Sequence, residues 1–375
     1  MKKEIISVPL VGGPSAGKTS ALSYIKRKLS EYGVNVLIVD EVATQFMNGG
    51  ITPFSTKLHN DEFQKHLLHH MIEKENRWRQ IADAMDYERT LILCDRGMMD
   101  SMAYVGEKSF NEIIKKEGWS IPQIRDERYE GVIHLRTAAL GAEEHYTLSN
   151  NKYRTESPEQ ARALDQKTLD AWIGHPHLRV IDNSTGFQEK LNRTLQEICA
   201  LLGIPAPLEI ENKYLVKRPR LSEFPVTYRL IDIEQSYLNV DDERDEDRIR
   251  KRGQNNEWIY TRTQKNFVKT GTRSGIRIEK EGSISEEMFG INLLNLDPNY
   301  ETIKKKRCCF IWQEQYFELD FFNEPKQHIK KNQGLLEIEL TNENKTVQIP
   351  SFIEVIKEVT DDENYYNKHI ARITQ

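Results

Sequence analysis

The chain has 375 residues, 38% of them hydrophobic and 30% charged, which fits folded protein and not a disordered one. Its 53 basic and 58 acidic residues leave a net charge of −5; this argues against a bulk nucleic-acid coat, while leaving room for a local basic cleft. Cys94, Cys199, Cys308 and Cys309 form no CxxC pair, so neither a disulfide framework nor a structural zinc site is expected, and a reducing compartment is. No apolar run reaches the ~18 residues of a membrane span, and Met1–Val8 lacks a secretory core. A cytoplasmic protein is expected.

In chain order, Ile5–Val11 reads as a buried strand and Lys18–Glu31 as a helix. Val34–Val39, Thr90–Cys94, Gly131–Leu135 and Leu178–Ile181 read as further strands. Amphipathic Leu58–Met85, Pro158–Trp172 and Phe187–Leu202 fill gaps between them. This alternation predicts an α/β domain over 1–205, a parallel sheet with helices on both faces. At Gly203-Ile-Pro-Ala-Pro-Leu208 two prolines break the pattern and suggest a linker. Beyond it, Leu208–Val216, Tyr228–Tyr237, Asp247–Arg252, Trp258–Lys265, Gly275–Lys280, Ile303–Trp312, Gln315–Phe322 and Leu335–Leu340 read as strands, with helices at Ser285–Leu294 and Ile353–Thr360. A second, α+β domain over 206–375 follows.

Gly12-Gly13-Pro14-Ser15-Ala16-Gly17-Lys18-Thr19 fits G-x-x-x-x-G-K-[ST], between a strand and a helix that continues into Ser20. The backbone amides of such a loop cradle phosphate, helped by the helix N-terminus. Lys18 would reach the β- and γ-phosphates, and Thr19 would ligate Mg²⁺. Asp95 ends the third strand, where a carboxylate holds the metal shell or orients a nucleophile. Glu41, after the second strand, either accepts a proton from a substrate hydroxyl or caps the next helix. Arg154, and Arg136 with less support, would neutralise transferring phosphate. His66, His69, His70 and the Cys308-Cys309 pair read as surface or packing residues.

Asp95-Arg96-Gly97 and the late Arg154 make this half resemble P-loop nucleoside and nucleotide kinases. His134–Thr147, Asn151–Glu156, Trp172–Pro176 and Ile181-Asp-Asn183 resemble more closely the AAA_28 domain of the TRPL translocation defect protein family. That resemblance implies ATP or GTP with Mg²⁺. With no Asn-Lys-x-Asp motif, the base stays open.

In the second half charges recur at alternate strand positions. Glu209, Glu211 and Lys213 share a face, as do Arg248, Arg250 and Arg252; Lys265 ends a strand; Arg277, Glu279 and Glu281 alternate, as do Glu318 with Asp320 and Glu337 with Glu339. Two readings fit: a solvated sheet with cross-strand ion pairs, or a closed barrel whose lumen holds carboxylates, a divalent metal and a polyphosphate. The pattern is similar to the CYTH, or triphosphate tunnel metalloenzyme, domain from about Leu208 onward. The resemblance implies an antiparallel barrel that hydrolyses a triphosphate: tripolyphosphate, a nucleoside triphosphate or an RNA 5′-triphosphate end. It implies Lys213, Arg250, Arg252, Lys265 and Arg307 as triphosphate ligands. Mg²⁺ or Mn²⁺ would sit on Glu209, Glu211, Glu337 and Glu339, with Glu281 and Asp320 (or Glu318) beside them. The alternative is a GTP-regulated trafficking protein, peripheral at membranes, whose barrel holds phosphatidic acid or a phosphoinositide without cleaving it.

Overall fold

The structure, a computed structural model, describes residues 3–30, 32–52, 58–146, 156–204, 210–240, 242, 245–268, 276–324, 326, 328–340 and 346–373. The chain forms two compact units, 1–209 with 313–316, and 210–312 with 317–375.

The first unit runs β1 (Glu4–Val11), α1 (Lys18–Ser30), β2 (Asn35–Val39), α2 (Val42–Asn48), α3 (Asn60–Ala84), β3 (Arg89–Asp95), α4 (Asp100–Lys116), β4 (Val132–Leu135), α5 (Pro158–Trp172), β5 (Leu178–Ile181) and α6 (Phe187–Leu201). The strands form a five-stranded sheet in the order β2-β3-β1-β4-β5, parallel at each pairing among the described residues. Ile6, Val8 and Leu10 alternate onto one face and meet Ala21, Leu22, Ile25 and Leu29 of α1 and Leu191 and Ile198 of α6. Burying each such aliphatic side chain contributes about 1.5–3 kcal/mol, and that face therefore fixes where α1 begins. The order reverses beside β1, so the loop after β1 opens at the topological switch point of the sheet, where α/β folds bind ligands.

The second unit runs β6 (Ile210–Lys217), β7 (Tyr228–Tyr237), β8 (Glu246–Gln254), β9 (Glu257–Val268), β10 (Ile276–Ser283), α7 (Glu286–Asn292), β11 (Ile303–Trp312), β12 (Gln315–Phe322), β13 (Gln333–Leu340), β14 (Val355–Glu358) and α8 (Asn367–Ala371). They make a nine-stranded sheet, β10-β9-β8-β7-β11-β12-β13-β6-β14. Among the described residues this order is open, with no pairing of β10 to β14. Cys308, Phe310, Phe317, Leu319, Leu336 and Ile338 form an apolar core.

One expected helix is instead a strand. Ile353–Thr360 carries β14, which pairs antiparallel with β6 and shifts register between Val355 and Lys357. Its Ile-Glu-Val-Ile-Lys-Glu pattern suits either period, and an edge strand supplied the partner that decided it.

Candidate functional site

The loop between β1 and α1 turns through left-handed backbone at Gly12 (φ +138°), Ser15 (φ +56°) and Gly17 (φ +89°). A Cβ at Gly12 would lie 2.1 Å from the Leu135 carbonyl oxygen, so sterics as well as φ demand glycine there. Lys18 is buried and folds back over this loop. Its Nζ donates to the carbonyls of Gly12 (3.0 Å) and Gly13 (3.2 Å). Pro14 and Ala16 are buried, whereas Thr19 and Ser20 are exposed at the start of α1.

Asp95 pairs in register with Leu10, just before the loop. Its Oδ1 is buried and receives no hydrogen bond. Burial pushes the carboxyl up to about 6, with Lys18 opposing and Glu41 reinforcing the rise. Glu41 is different. Burial raises it too, but Arg96 and Lys18 outweigh that and hold it at about 2. Arg96 Nε donates to Glu41 Oε1 at 2.5 Å, and Thr44 Oγ1 donates to Glu41 Oε2 at 2.5 Å. Glu41 thus positions Arg96 and is too weak a base for the proton-accepting role expected of it. Arg96 also reaches Asp100 Oδ2 at 3.3 Å, while Trp172 Nε1 donates to Asp100 Oδ1 at 2.7 Å.

Arg136 is engaged by α5. Its guanidinium lies 2.9 Å from Asp165 and donates to Gln166 at 3.2 Å, since a buried arginine must find its counter-charge where it is buried. Arg154 lies outside the described residues. His69 pairs with Glu117 at 2.8 Å and His70 packs on Phe46; both are the surface and packing roles expected.

The residues present would fit a divalent cation. Asp95 presents a buried anionic oxygen that no donor satisfies, and the Thr19 hydroxyl stands at the first turn of α1.

In the second unit, strand alternation brings the charges to one face. On β11, Lys305 is buried while Lys304 and Lys306 are exposed. Arg307, on the same face as Lys305, donates through Nε and Nη2 to the two oxygens of Asp320, each at 2.6 Å, and through Nη2 to Glu337 at 2.8 Å; its Nη1 bonds Glu318. Lys305 reaches Asp320 at 2.5 Å and Asn367 at 3.1 Å. Lys213 reaches Glu337 at 3.1 Å and Glu211 at 3.4 Å. Arg250 donates to the neutral Gln235 Oε1 at 3.1 and 3.2 Å. Burial, then Arg248, brings its guanidinium down to about 10. Arg252 is buried on that strand, and Lys265 on β9 is partly buried.

The expected metal set does not gather. Glu318, Asp320 and Glu337 close on Arg307, Glu211 leans on Lys213, Glu281 accepts from Thr263 at 2.6 Å, and Glu339 is exposed. Among the described residues no group of three His, Cys, Asp or Glu could hold a metal ion. Glu209 lies outside them, and of Arg277 and Glu279 only the backbone is described. Buried guanidinium and ammonium groups neutralise the described carboxylates of this face. Gln235, Asp165 and Lys190 carry no local sequence pattern that marks them.

Residues 7–190 match the AAA_28 family, described as an AAA domain. This stretch is a P-loop AAA-type nucleotide-binding domain. The matched stretch runs from within β1 into α6, and hence includes Gly12–Ser20, Glu41 and Asp95. No curated protein matches the chain. Among solved structures, the chain is similar to the hypothetical protein NE1496 at 27% identity, covering 45% of this chain and 100% of that one, with a TM-score of 0.32. It is similar to the inorganic triphosphatase NE1496 at 26% identity, covering 44% and 96%, with a TM-score of 0.32. It is also similar to the PH1012 protein from Pyrococcus Horikoshii OT3 at 20% identity, covering 36% and 80%, with a TM-score of 0.25. Among the described residues no helix is long and apolar enough to cross a membrane.

Proposed function

We propose that the chain is a phosphohydrolase with two sites: an ATP or GTP site at the P-loop of an NTPase domain over 1–205, and a triphosphate-binding tunnel of CYTH type over 206–375. This is the architecture of the TRPL-type resemblance. The observation that carries the reading is the pairing of Lys18, docked on the loop carbonyls, with a donor-less Asp95 at the neighbouring strand end. At the P-loop, Lys18 leaves Gly12 and Gly13 for the β- and γ-phosphate oxygens. Thr19 and Asp95 would hold Mg²⁺, which would supply neutralising charge for the phosphates. Arg154 is proposed to offset charge on the transferring phosphoryl group. Water attacks the γ-phosphorus, the bond to the leaving diphosphate oxygen breaks, and the water's proton passes to bulk or to phosphate.

In the second unit Lys213, Arg250, Arg252, Lys265 and Arg307 are proposed to grip a triphosphate chain, by bidentate guanidinium contacts in the case of arginine. Tripolyphosphate, nucleoside triphosphates and RNA 5′-triphosphate ends share that chemistry. Phosphate release from tripolyphosphate, ATP and GTP, with Mg²⁺ or Mn²⁺, tests both halves. Lys18→Ala is expected to abolish nucleotide turnover and Lys213→Ala plus Arg250→Met to abolish tripolyphosphate turnover. Release that neither change lowers defeats the assignment.

A further inference from the structure

The P-loop is held from behind by a buried carboxylate that the nucleotide chemistry above does not use. Asp165, on α5, is fully buried. Its Oδ1 accepts from the Gly13 N–H at 2.7 Å and from the Thr137 N–H at 3.1 Å. Arg136 Nη1 lies 2.9 Å from Oδ2, and His134 Nε2 lies 3.2 Å from Oδ1. A Cβ at Gly13 would come within 2.7 Å of the Asp165 Cβ, so the helix stands hard against the loop.

Thr137, held by the same oxygen, sends its hydroxyl to the Pro14 carbonyl at 2.5 Å. The next residue, Ala138, donates its N–H to the Ser15 carbonyl at 3.2 Å. Lys190 of α6 is buried and donates to the Ala16 carbonyl at 3.1 Å and to the Arg136 carbonyl at 2.7 Å. Four successive loop residues, Gly13 to Ala16, therefore each have one backbone group fixed from the rear. In a trans peptide the carbonyl and the following N–H point in opposite directions. Drawing the carbonyls of Pro14, Ser15 and Ala16 backward turns the N–H groups of Ser15, Ala16 and Gly17 forward, as a phosphate cradle requires.

We infer that Asp165 is a positioning residue of the nucleotide site, which sets the phosphate-binding conformation of the P-loop through Gly13 and Thr137. The inference rests on the reading that this loop binds nucleotide. Replacing the Asp165–Arg136 pair as a whole by apolar residues need cost no stability, whereas removing Asp165 alone leaves Arg136 buried without its counter-charge; what an apolar residue at 165 also cannot do is accept the two N–H groups. An asparagine can.

The test is the affinity of the full chain for ATP and GTP with Mg²⁺, by calorimetry, beside thermal unfolding of each variant. Asp165→Ala strands two buried donors, and binding is expected to weaken roughly ten- to hundredfold. Asp165→Asn keeps the acceptor and is expected to stay within about threefold of the parent. Thr168→Ala is the control: Thr168 is equally buried on the same helix but bonds back to Leu164 at 2.9 Å, so it should lower thermal stability and leave affinity unchanged. Should Asp165→Ala not fold, Thr137→Val decides, because it releases the Pro14 carbonyl and the Ala139 N–H while leaving Asp165 in place; weaker binding supports the inference and unchanged binding overturns it. Parent-like binding by Asp165→Ala, equal losses in Asp165→Asn and Asp165→Ala, or an affinity loss in Thr168→Ala also overturns it. A parent protein that binds neither nucleotide defeats the underlying reading instead, before any variant is compared.

Discussion

Arg307 and Asp320 face each other on β11 and β12 as a two-point pair, Nε to Oδ1 and Nη2 to Oδ2, both at 2.6 Å. Asp320 is fully buried, and the same guanidinium also serves Glu337 and Glu318. One cation thus stabilises three carboxylates on one sheet face.

Arg307→Ala should therefore destabilise the second unit by about 3–5 kcal/mol, the cost of leaving buried charge uncompensated. Arg307→Lys, which keeps the charge but loses the planar fork, should cost less. The pH sign follows from Asp320. Burial raises its carboxyl, but Arg307 and Lys305 outweigh that and hold it well below the usual range. Its contribution is present above the unfolded value of ~3.9 and is lost as pH falls through the folded value. The stability gap between parent and Arg307→Ala, measured by calorimetry, should narrow below about pH 4.

Asp95 carries the opposite sign. With its carboxyl raised to about 6, its stabilising contribution is complete below ~3.9 and disappears as pH rises through about 6. Asp95→Asn should then be more stable than the parent at pH 8 by about 1–3 kcal/mol, with little difference at pH 4. Mg²⁺-dependent nucleotide turnover should fall in that variant, and the parent's acidic limb should lie near pH 6. A variant less stable at pH 8 would show that Asp95 has a partner that its orphaned oxygen does not reveal.

How much of this was legible in the sequence depended on how local each determinant is. β1, α1 and the glycines between them follow from a motif that sterics constrain residue by residue, down to the carbonyl of Leu135 behind Gly12. The alternation that put Lys213, Arg250 and Arg307 on sheet faces is equally local. The partners of those charges are not. Glu41 reads as a proton acceptor or a helix cap because nothing in the sequence says that Arg96, 55 residues away, will engage it. Asp165 went unremarked because its partner Gly13 is 152 residues distant. β14 was misread because an isolated stretch of four exposed strand residues has no face pattern, and only pairing with β6 defines it.

Gly12→Ala should cost more than any other single change in the P-loop. The added methyl meets the Leu135 carbonyl at 2.1 Å, and φ of +138° is closed to alanine. Relief requires β1 and β4 to part, so a loss of about 2–4 kcal/mol is expected, together with loss of nucleotide binding. Comparable thermal unfolding of variant and parent would show that the loop can move freely of β4.

Arg250→Met separates ligand binding from folding in the second unit. Arg250 bonds a neutral amide oxygen, and burial together with Arg248 brings it down to about 10. Its charge is thus unfavourable where it stands, and a polyanion would relieve it. Removing the charge strands Gln235 Oε1, at about 1–3 kcal/mol, but also ends the desolvation and the repulsion from Arg248. The two effects should leave folding stability within about 1 kcal/mol of the parent. Tripolyphosphate should raise the parent's unfolding temperature and raise that of Arg250→Met much less, with the parent's affinity falling as salt screens the contact. An equal rise in both proteins would place the phosphate chain away from β8.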